Sequence, residues 1–197
     1  MKVFLRDANR RIVDAWEAVF GGREGVDVSY GDIFDLANAN EVCDAIISPA
    51  NSFGFMDIDL AYSRYFGWEL QRRLQELIRA KFHGEIPVGA AAVIETGSAK
   101  IPYLVSAPTM RVPADVSNTV NAYLAFRAAL IAVGNFNESG GARISSVLCP
   151  GLGTLTGGIP PRSCALQMKR AWDSIVAGNA PFPATLGEAE AGHKNLL

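Results

Sequence analysis

Ile144-Ser145-Ser146-Val147-Leu148-Cys149 runs straight into Pro150-Gly151-Leu152-Gly153-Thr154-Leu155-Thr156-Gly157-Gly158. The first segment reads as a buried strand. The second carries four glycines and two threonines. Apolar residues then resume at helical spacing from Arg162 to Val176, with Cys164, Met168, Ala171-Trp172 and Ile175 in register. Strand, Gly-rich turn and helix in that order form the repeating unit of α/β folds. Glycines let the backbone approach a ligand closely, and successive N–H groups along such a turn make an anion-binding nest. The loop lacks the Lys of a P-loop, and its spacing does not match Gly-x-Gly-x-x-Gly. A flexible connecting turn is the plain alternative.

The same alternation extends toward the N-terminus. Lys2 to Arg6, Val26 to Tyr30, Ala45 to Ser48, Ala91 to Glu95 and Tyr103 to Ser106 read as strands. Asn9 to Phe20, Leu60 to about Phe82 and Ser117 to about Val133 read as helices. His83 falls where the long helix ends and is expected to meet its last carbonyls. Trp16 and Trp172 fall on apolar helix faces and are expected in the core, with Trp68 on an exposed flank. The pattern predicts a three-layer α/β/α fold around a mixed, largely parallel central sheet. It predicts a single domain over residues 1–177. Residues 178–197, rich in Ala, Gly, Pro and Glu, show no period and are expected to form an irregular tail.

Ligands of open α/β sheets bind at the carboxyl ends of the strands. Three strand ends carry suitable chemistry. After Tyr30 comes Gly31-Asp32-Ile33, whose carboxylate can either accept from a purine's exocyclic amine or cap its own turn. After Ser48 comes Pro49-Ala50-Asn51-Ser52, then the bulky Phe53-Gly54-Phe55-Met56 and the acidic Asp57-Ile58-Asp59. Asn51 offers a donor and an acceptor to a sugar's vicinal hydroxyls. Asp57 or Asp59 can equally be the N-cap of the helix that follows. The third strand end is the 150–158 loop. Together they supply an acid for a purine, an amide for a sugar and a cradle for a diphosphate at one sheet edge. That is the inventory for a nucleotide diphosphate sugar.

These residues, in this order, resemble the macro-domain family. The likeness rests on Gly31-Asp32-Ile33, on Pro49-Ala50-Asn51-Ser52 after an apolar strand, on Asp59 opening a helix that carries Gly67, and on Gly151-Leu152-Gly153-Thr154 with Gly157-Gly158. Pro87-Val88-Gly89 and Thr96-Gly97 add to it, and it spans roughly Val26 to Val176. The resemblance implies that Asp32 contacts adenine, that Ile33 adds a backbone contact, that Asn51 holds the distal ribose, and that Ala50 and Ser52 also bind the ligand. It implies that Gly151, Leu152, Gly153, Thr154, Leu155, Thr156 and Gly157 wrap the diphosphate. The chain departs from the family's usual pattern at three places. Phe53 to Asp59 replaces a run of glycines and Val-Asp-Gly. Leu155-Thr156 stands where Gly and Ile are usual, and Ser106-Ala107-Pro108 where a His is common.

Two functions remain open. One is hydrolysis of an ADP-ribose adduct: ADP-ribosyl-protein, O-acetyl-ADP-ribose or ADP-ribose 1″-phosphate. Asn51 would orient the ribose there, and Asp59, with Asp57 in reserve, would place the water, with no metal and no cofactor. The other is a non-catalytic ADP-ribose reader. Composition excludes other classes. The net charge of −2 argues against an extended nucleic-acid surface. No apolar run suits a membrane span. Three cysteines, Cys43, Cys149 and Cys164, read as reduced thiols of a cytoplasmic protein, and two histidines, His83 and His193, exclude a His-rich metal site. Cys149 has no His beside it in the sequence to activate it, so it is expected to be structural.

Overall fold

The computed structural model describes residues 1–35, 43–56, 60–140 and 142–197. Its sheet has six strands: β1 (Lys2–Asp7), β2 (Val26–Tyr30), β3 (Ala45–Ser48), β4 (Ala92–Glu95), β5 (Tyr103–Ser106) and β6 (Ser146–Cys149). They lie in the order β2-β1-β6-β3-β5-β4. All neighbours pair parallel except β4, which runs antiparallel to β5. Five carboxyl ends therefore meet at one edge of the sheet.

The strands alternate with period two, and both of their faces are buried. Val3, Leu5, Ala45, Ile47, Val105, Val147 and Cys149 face one apolar cluster. Phe4, Ile46, Leu104 and Leu148 face the other. The first cluster is covered by α1 (Arg10–Phe20), α4 (Asn121–Glu138) and α5 (Pro161–Ile175). The second is covered by α2 (Ala61–Phe66) and α3 (Trp68–Phe82). This is a three-layer α/β/α sandwich. Burial on both faces is why the strands read as nearly continuous apolar runs. Trp16 and Trp172 are buried in the first cluster, whereas Trp68 is 56% exposed.

Two expectations are corrected. The helix expected from Leu60 to Phe82 is two helices. Gly67 adopts φ 81° between them, a left-handed conformation that ends α2 with its N–H on the Ser63 carbonyl. The apolar spacing runs on across the break, so periodicity alone could not show it. The expected irregular tail contains α6 (Leu186–Lys194). Thr185 accepts from the Glu188 N–H while Glu188 reaches back to the Ala184 N–H, so the helix start is fixed by local capping. No side chain of α6 is buried, which is why the segment shows no apolar period. At the end of α3, His83 sits in a left-handed cap with its backbone N–H on the Ile78 carbonyl.

Gln167 ties the C-terminal segment to the body. It is fully buried, accepts from the Tyr123 N–H in the first turn of α4, and donates to the carbonyls of Thr119 and Leu196. Val120 offers α4 no side-chain cap, so Gln167 supplies one from a neighbouring helix. Gln167→Leu should therefore lower stability by about 1–3 kcal/mol, the scale for stranding a buried polar group. Urea unfolding measures this, and an unchanged midpoint would show that the cap is dispensable.

Candidate functional site

Along the carboxyl edge, the strand order sets the sequence of turns: Gly31-Asp32 after β2, Asp7 at the end of β1, Pro150-Gly151 after β6, Pro49-Ala50 after β3 and Ala107 to Met110 after β5. A cleft of about 180 Å³ opens over the last three. Gly151 and Gly153 to Gly157 line it. Ser48 to Ala50, Thr109 and Met110, with Phe55, Met56 and Tyr62, supply the rest of the lining.

The 150–158 loop is tightly held by its own backbone. Gly153 (φ 69°) accepts from the Ile159 N–H, Leu155 accepts from the Gly158 N–H, and Gly157 accepts from the Val116 N–H. A Cβ on Gly157 would stand 2.7 Å from the Gly153 oxygen and 2.7 Å from a Val116 methyl, so only glycine fits. The carbonyls are thus used, and the N–H groups are not. From Leu152 to Gly157, six successive N–H groups have no acceptor among the described residues. The Thr154 hydroxyl is buried and also lacks a partner. Buried donors are nearly always paired. The N–H groups of Gly153 to Gly157 belong to residues that line the cleft, an arrangement able to receive an anion on backbone dipoles.

Asp7, which the sequence reading passed over, organises this edge. Its carboxylate accepts from the Gly151 N–H at 2.9 Å and from the Asn9 N–H at 2.8 Å, and its carbonyl accepts from the Gly31 N–H. Its neighbour Arg6 donates to the Asp32 carbonyl at 2.8 Å and the Ser29 hydroxyl at 3.2 Å. A Cβ on Gly31 would collide with that guanidinium. The end of β1 therefore fixes both the Asp32 turn and the start of the cradle. Only its place at the end of a parallel strand could have marked it. Tyr62, Thr109 and Met110 were also missed. Tyr62 donates to the Ile47 carbonyl and Thr109 to the Pro49 carbonyl, so both brace the floor of the cleft.

The anticipated residues are distributed unevenly. Ala50, Gly151, Gly153, Thr154, Leu155, Thr156 and Gly157 share the cleft. Leu152 is fully buried in the core beneath it. Asp32 is exposed, accepts from the Phe34 N–H at 2.9 Å, and lies further along the edge than the cleft lining. Its carboxylate thus caps its own turn. Ile33 packs against the second cluster. Asn51 and Ser52 are buried and do not line the cleft. The Asn51 side chain accepts from the N–H groups of Phe53 and Phe55 and donates to the Phe55 carbonyl. Ser52 bonds through its backbone to Arg111 and Ile86. Asp57 and Asp59 lie outside the described residues.

The sequence matches the Macro domain family model over residues 47–168, and the chain belongs to the macro-domain family. An uncharacterised protein of Aquifex aeolicus (strain VF5) is 33% identical over 127 residues, 64% of this chain and 70% of that protein. Among solved structures, the macrodomain of Mycobacterium tuberculosis DarG is similar at TM-score 0.58 and 20% identity, covering 74% of this chain and 88% of that one. The Oceanobacillus iheyensis macrodomain with ADP is similar at TM-score 0.52 and 21% identity, covering 65% and 68%. The Trypanosoma brucei macrodomain in complex with ADP gives TM-score 0.52 at 18% identity, covering 83% and 65%. At these identities the structural likeness concerns the fold.

Behind the cradle, Cys149 and Cys164 are fully buried. Burial pushes the Cys149 thiol well up, helped by Cys164 and Asp7, and pushes Cys164 up to about 12. Neither is a nucleophile at neutral pH. A thiol whose folded pKa is raised contributes stability that is complete below its unfolded value of about 8.5 and is lost as pH rises toward the folded value. Unfolding free energy should fall between pH 8.5 and 10.5 by up to about 1.4 kcal/mol per pH unit for each thiol. Cys164→Ala should flatten that slope in urea titrations. An identical slope in the variant would remove the thiol from the account.

Proposed function

We propose that the protein binds ADP-ribose or a close derivative, with the diphosphate on the N–H groups of residues 152–157. One observation carries the reading: a run of unpaired backbone donors and the buried, partnerless Thr154 hydroxyl line one cleft. A diphosphate supplies the acceptors they lack. The strand order supports the rest. Asp32 lies two strands from β6 on one side, and β3 and β5 lie on the other. A nucleotide diphosphate sugar laid along the edge would set its base at the Asp32 turn and its second ribose over β3 and β5. The macrodomains of known structure that hold ADP support the choice of ligand class. Buried free thiols fit a reducing, cytoplasmic setting, and no described helix is long and apolar enough to cross a membrane.

Calorimetry tests the binding. ADP-ribose should bind measurably, and more tightly than AMP, which has no second phosphate for the cradle. Gly157→Ala should weaken it at least about tenfold, since the displaced loop misaims several charged hydrogen bonds of about 1.5–3 kcal/mol each. No heat and no chemical-shift change at millimolar ADP-ribose would end the reading. Asp32→Ala separates base recognition from capping. If the free carboxylate oxygen accepts from the adenine amine, the variant loses about 1–3 kcal/mol and no longer prefers ADP-ribose to IDP-ribose. If it loses only thermal stability, Asp32 is a cap.

Hydrolysis of an ADP-ribose adduct is the second reading, and chain connectivity favours it. Met56 walls the cleft and runs directly into Asp57-Ile58-Asp59, and the chain returns to the same cleft at Tyr62. In this reading an Asp59 carboxylate takes a proton from water as its oxygen adds to the substrate and the adduct group leaves with a proton. Against it stands Asn51, whose amide serves its own loop and acts on a ligand only by positioning that loop. Asp59→Ala should reduce turnover about a hundredfold or more while keeping ADP-ribose affinity. Absence of turnover by the unaltered protein on protein adducts and acetyl esters would make it a reader.

A further inference from the structure

A second concave site lies at the opposite edge of the sheet. Arg23 stands in the turn between α1 and β2, at the amino end of the strands, and the C-terminal half of α5 runs past it. With the turn that follows α5 they enclose an open pocket of about 740 Å³. Its lining carries three cations, Arg23, Lys169 and Arg170, against one carboxylate, Asp173. Two positive charges are thus left over here, in a chain whose net charge is −2.

Asp173 sets the arrangement. One of its oxygens accepts from Arg23 at 2.6 Å and the other accepts from Lys169. The Arg23 and Lys169 side chains are only 30% and 32% exposed, so both are held against the body of the protein. One carboxylate therefore fixes two cations and neutralises one. Of the five donors on Arg23 one is used, and of the three on Lys169 one. Arg170 is exposed and has no hydrogen-bond or ion-pair partner among the described residues. The turn adds neutral donors. Gly178, at φ 69°, folds the chain back so that the Asn179 N–H reaches the Asp173 carbonyl at 2.8 Å. The N–H groups of Gly178 and Ala180 and the Asn179 side-chain amide have no acceptor among the described residues.

Neither a helix dipole nor a balanced surface network accounts for the excess. The carbonyl pole of a helix attracts cations only within its last turn, and Lys169 and Arg170 precede the last turn of α5. Glu24 follows Arg23 in the chain but is exposed and is not part of the lining. Glu188 lines a separate groove on the other side of Arg170, with His193, and one of its oxygens holds the Ala184 N–H.

We propose that this pocket binds a phosphate monoester group carried on a larger molecule. Guanidinium and ammonium groups at fixed positions, with amide donors beside them, suit a dianion that offers several oxygens. A carboxylate would offset one of the two charges and leave the other. The pocket is wider than one phosphate, which leaves room for the carrier. The site lies at the other edge of the sheet from the ADP-ribose cleft and does not depend on that reading.

NMR titration of the full chain at low ionic strength tests this with inorganic phosphate, N-acetyl-phosphoserine amide, glycerol 3-phosphate and sodium chloride. Inorganic phosphate should shift the amide resonances of Gly178, Asn179 and Ala180 saturably, with half-saturation on the order of 1–10 mM. At least one of the two esters should bind as tightly or more so, and the tighter one tells a phosphorylated side chain from a small metabolite as the carrier. Arg170→Ala should weaken binding at least about fivefold, the scale for losing a charged hydrogen bond, with an unchanged thermal midpoint. Arg170→Glu should abolish it. No saturable shift at those amides would overturn the proposal, as would shifts that survive both variants or exclusion of both esters. Shifts reproduced by chloride at equal ionic strength would overturn it as well, marking an adventitious ion only. Shifts confined to Gly153 to Gly157 would place the phosphate in the cleft and leave this pocket without a ligand.

Discussion

Six successive backbone N–H groups are held open at the end of β6, and the rest of the site is arranged around that constraint. A chain leaves donors unpaired at a cost that rises with their burial, and of these six residues Leu155 and Thr156 are exposed. It can keep them open only if the surrounding contacts leave the loop no other conformation. Those contacts are on the carbonyl side: Gly153 to Ile159, Leu155 to Gly158 and Gly157 to Val116. Asp7 takes the Gly151 N–H and so sets where the cradle begins. The N–H groups that remain all belong to the loop that lines the cleft.

The same loop is tied to two helices on one face of the sheet. Val116 leads through Thr119 to α4, whose first turn is capped by Gln167 of α5, the helix that follows the cradle. Asn121 donates to the Thr109 carbonyl, and Thr109 donates to the Pro49 carbonyl. A displacement at Gly157 therefore reaches α4 and the β3 and β5 turns together. Rigidity here comes from many moderate bonds on separate elements, as preorganisation of an anion site requires.

The parts that were legible in the sequence depend on backbone periodicity and composition. Strands buried on both faces announce themselves as apolar runs, and the order of turns along the edge follows from parallel topology. The Gly-rich turn after β6 was legible because glycine is the residue that permits its conformations. The break at Gly67 was not, because the apolar spacing of α2 continues into α3. Helix α6 was not, because it buries nothing and only its Thr185–Glu188 cap marks it. Side-chain roles were the least legible. Asn51 offers the same donor and acceptor whether it faces a sugar or its own loop, and the structure directs it to the Phe53 and Phe55 backbone. Asp7 escaped notice because a lone carboxylate after a strand has no pattern.

The use made of Asn51 explains the character of the cleft's far end. Its amide bonds fold residues 51–55 into a compact turn, with Gly54 at φ 71° packed against Leu74 and Ile78 of α3. That turn delivers Phe55 to the rim and Met56 to the wall, where the Met56 N–H is held by Gln71 and its carbonyl by Ser63. A polar residue spent on local architecture thus produces an apolar surface at the mouth. The polar part of the lining then rests on the backbone of the 153–157 loop. The loop after β6 therefore carries the unpaired donors, and the loop after β3 shapes the apolar mouth beside them.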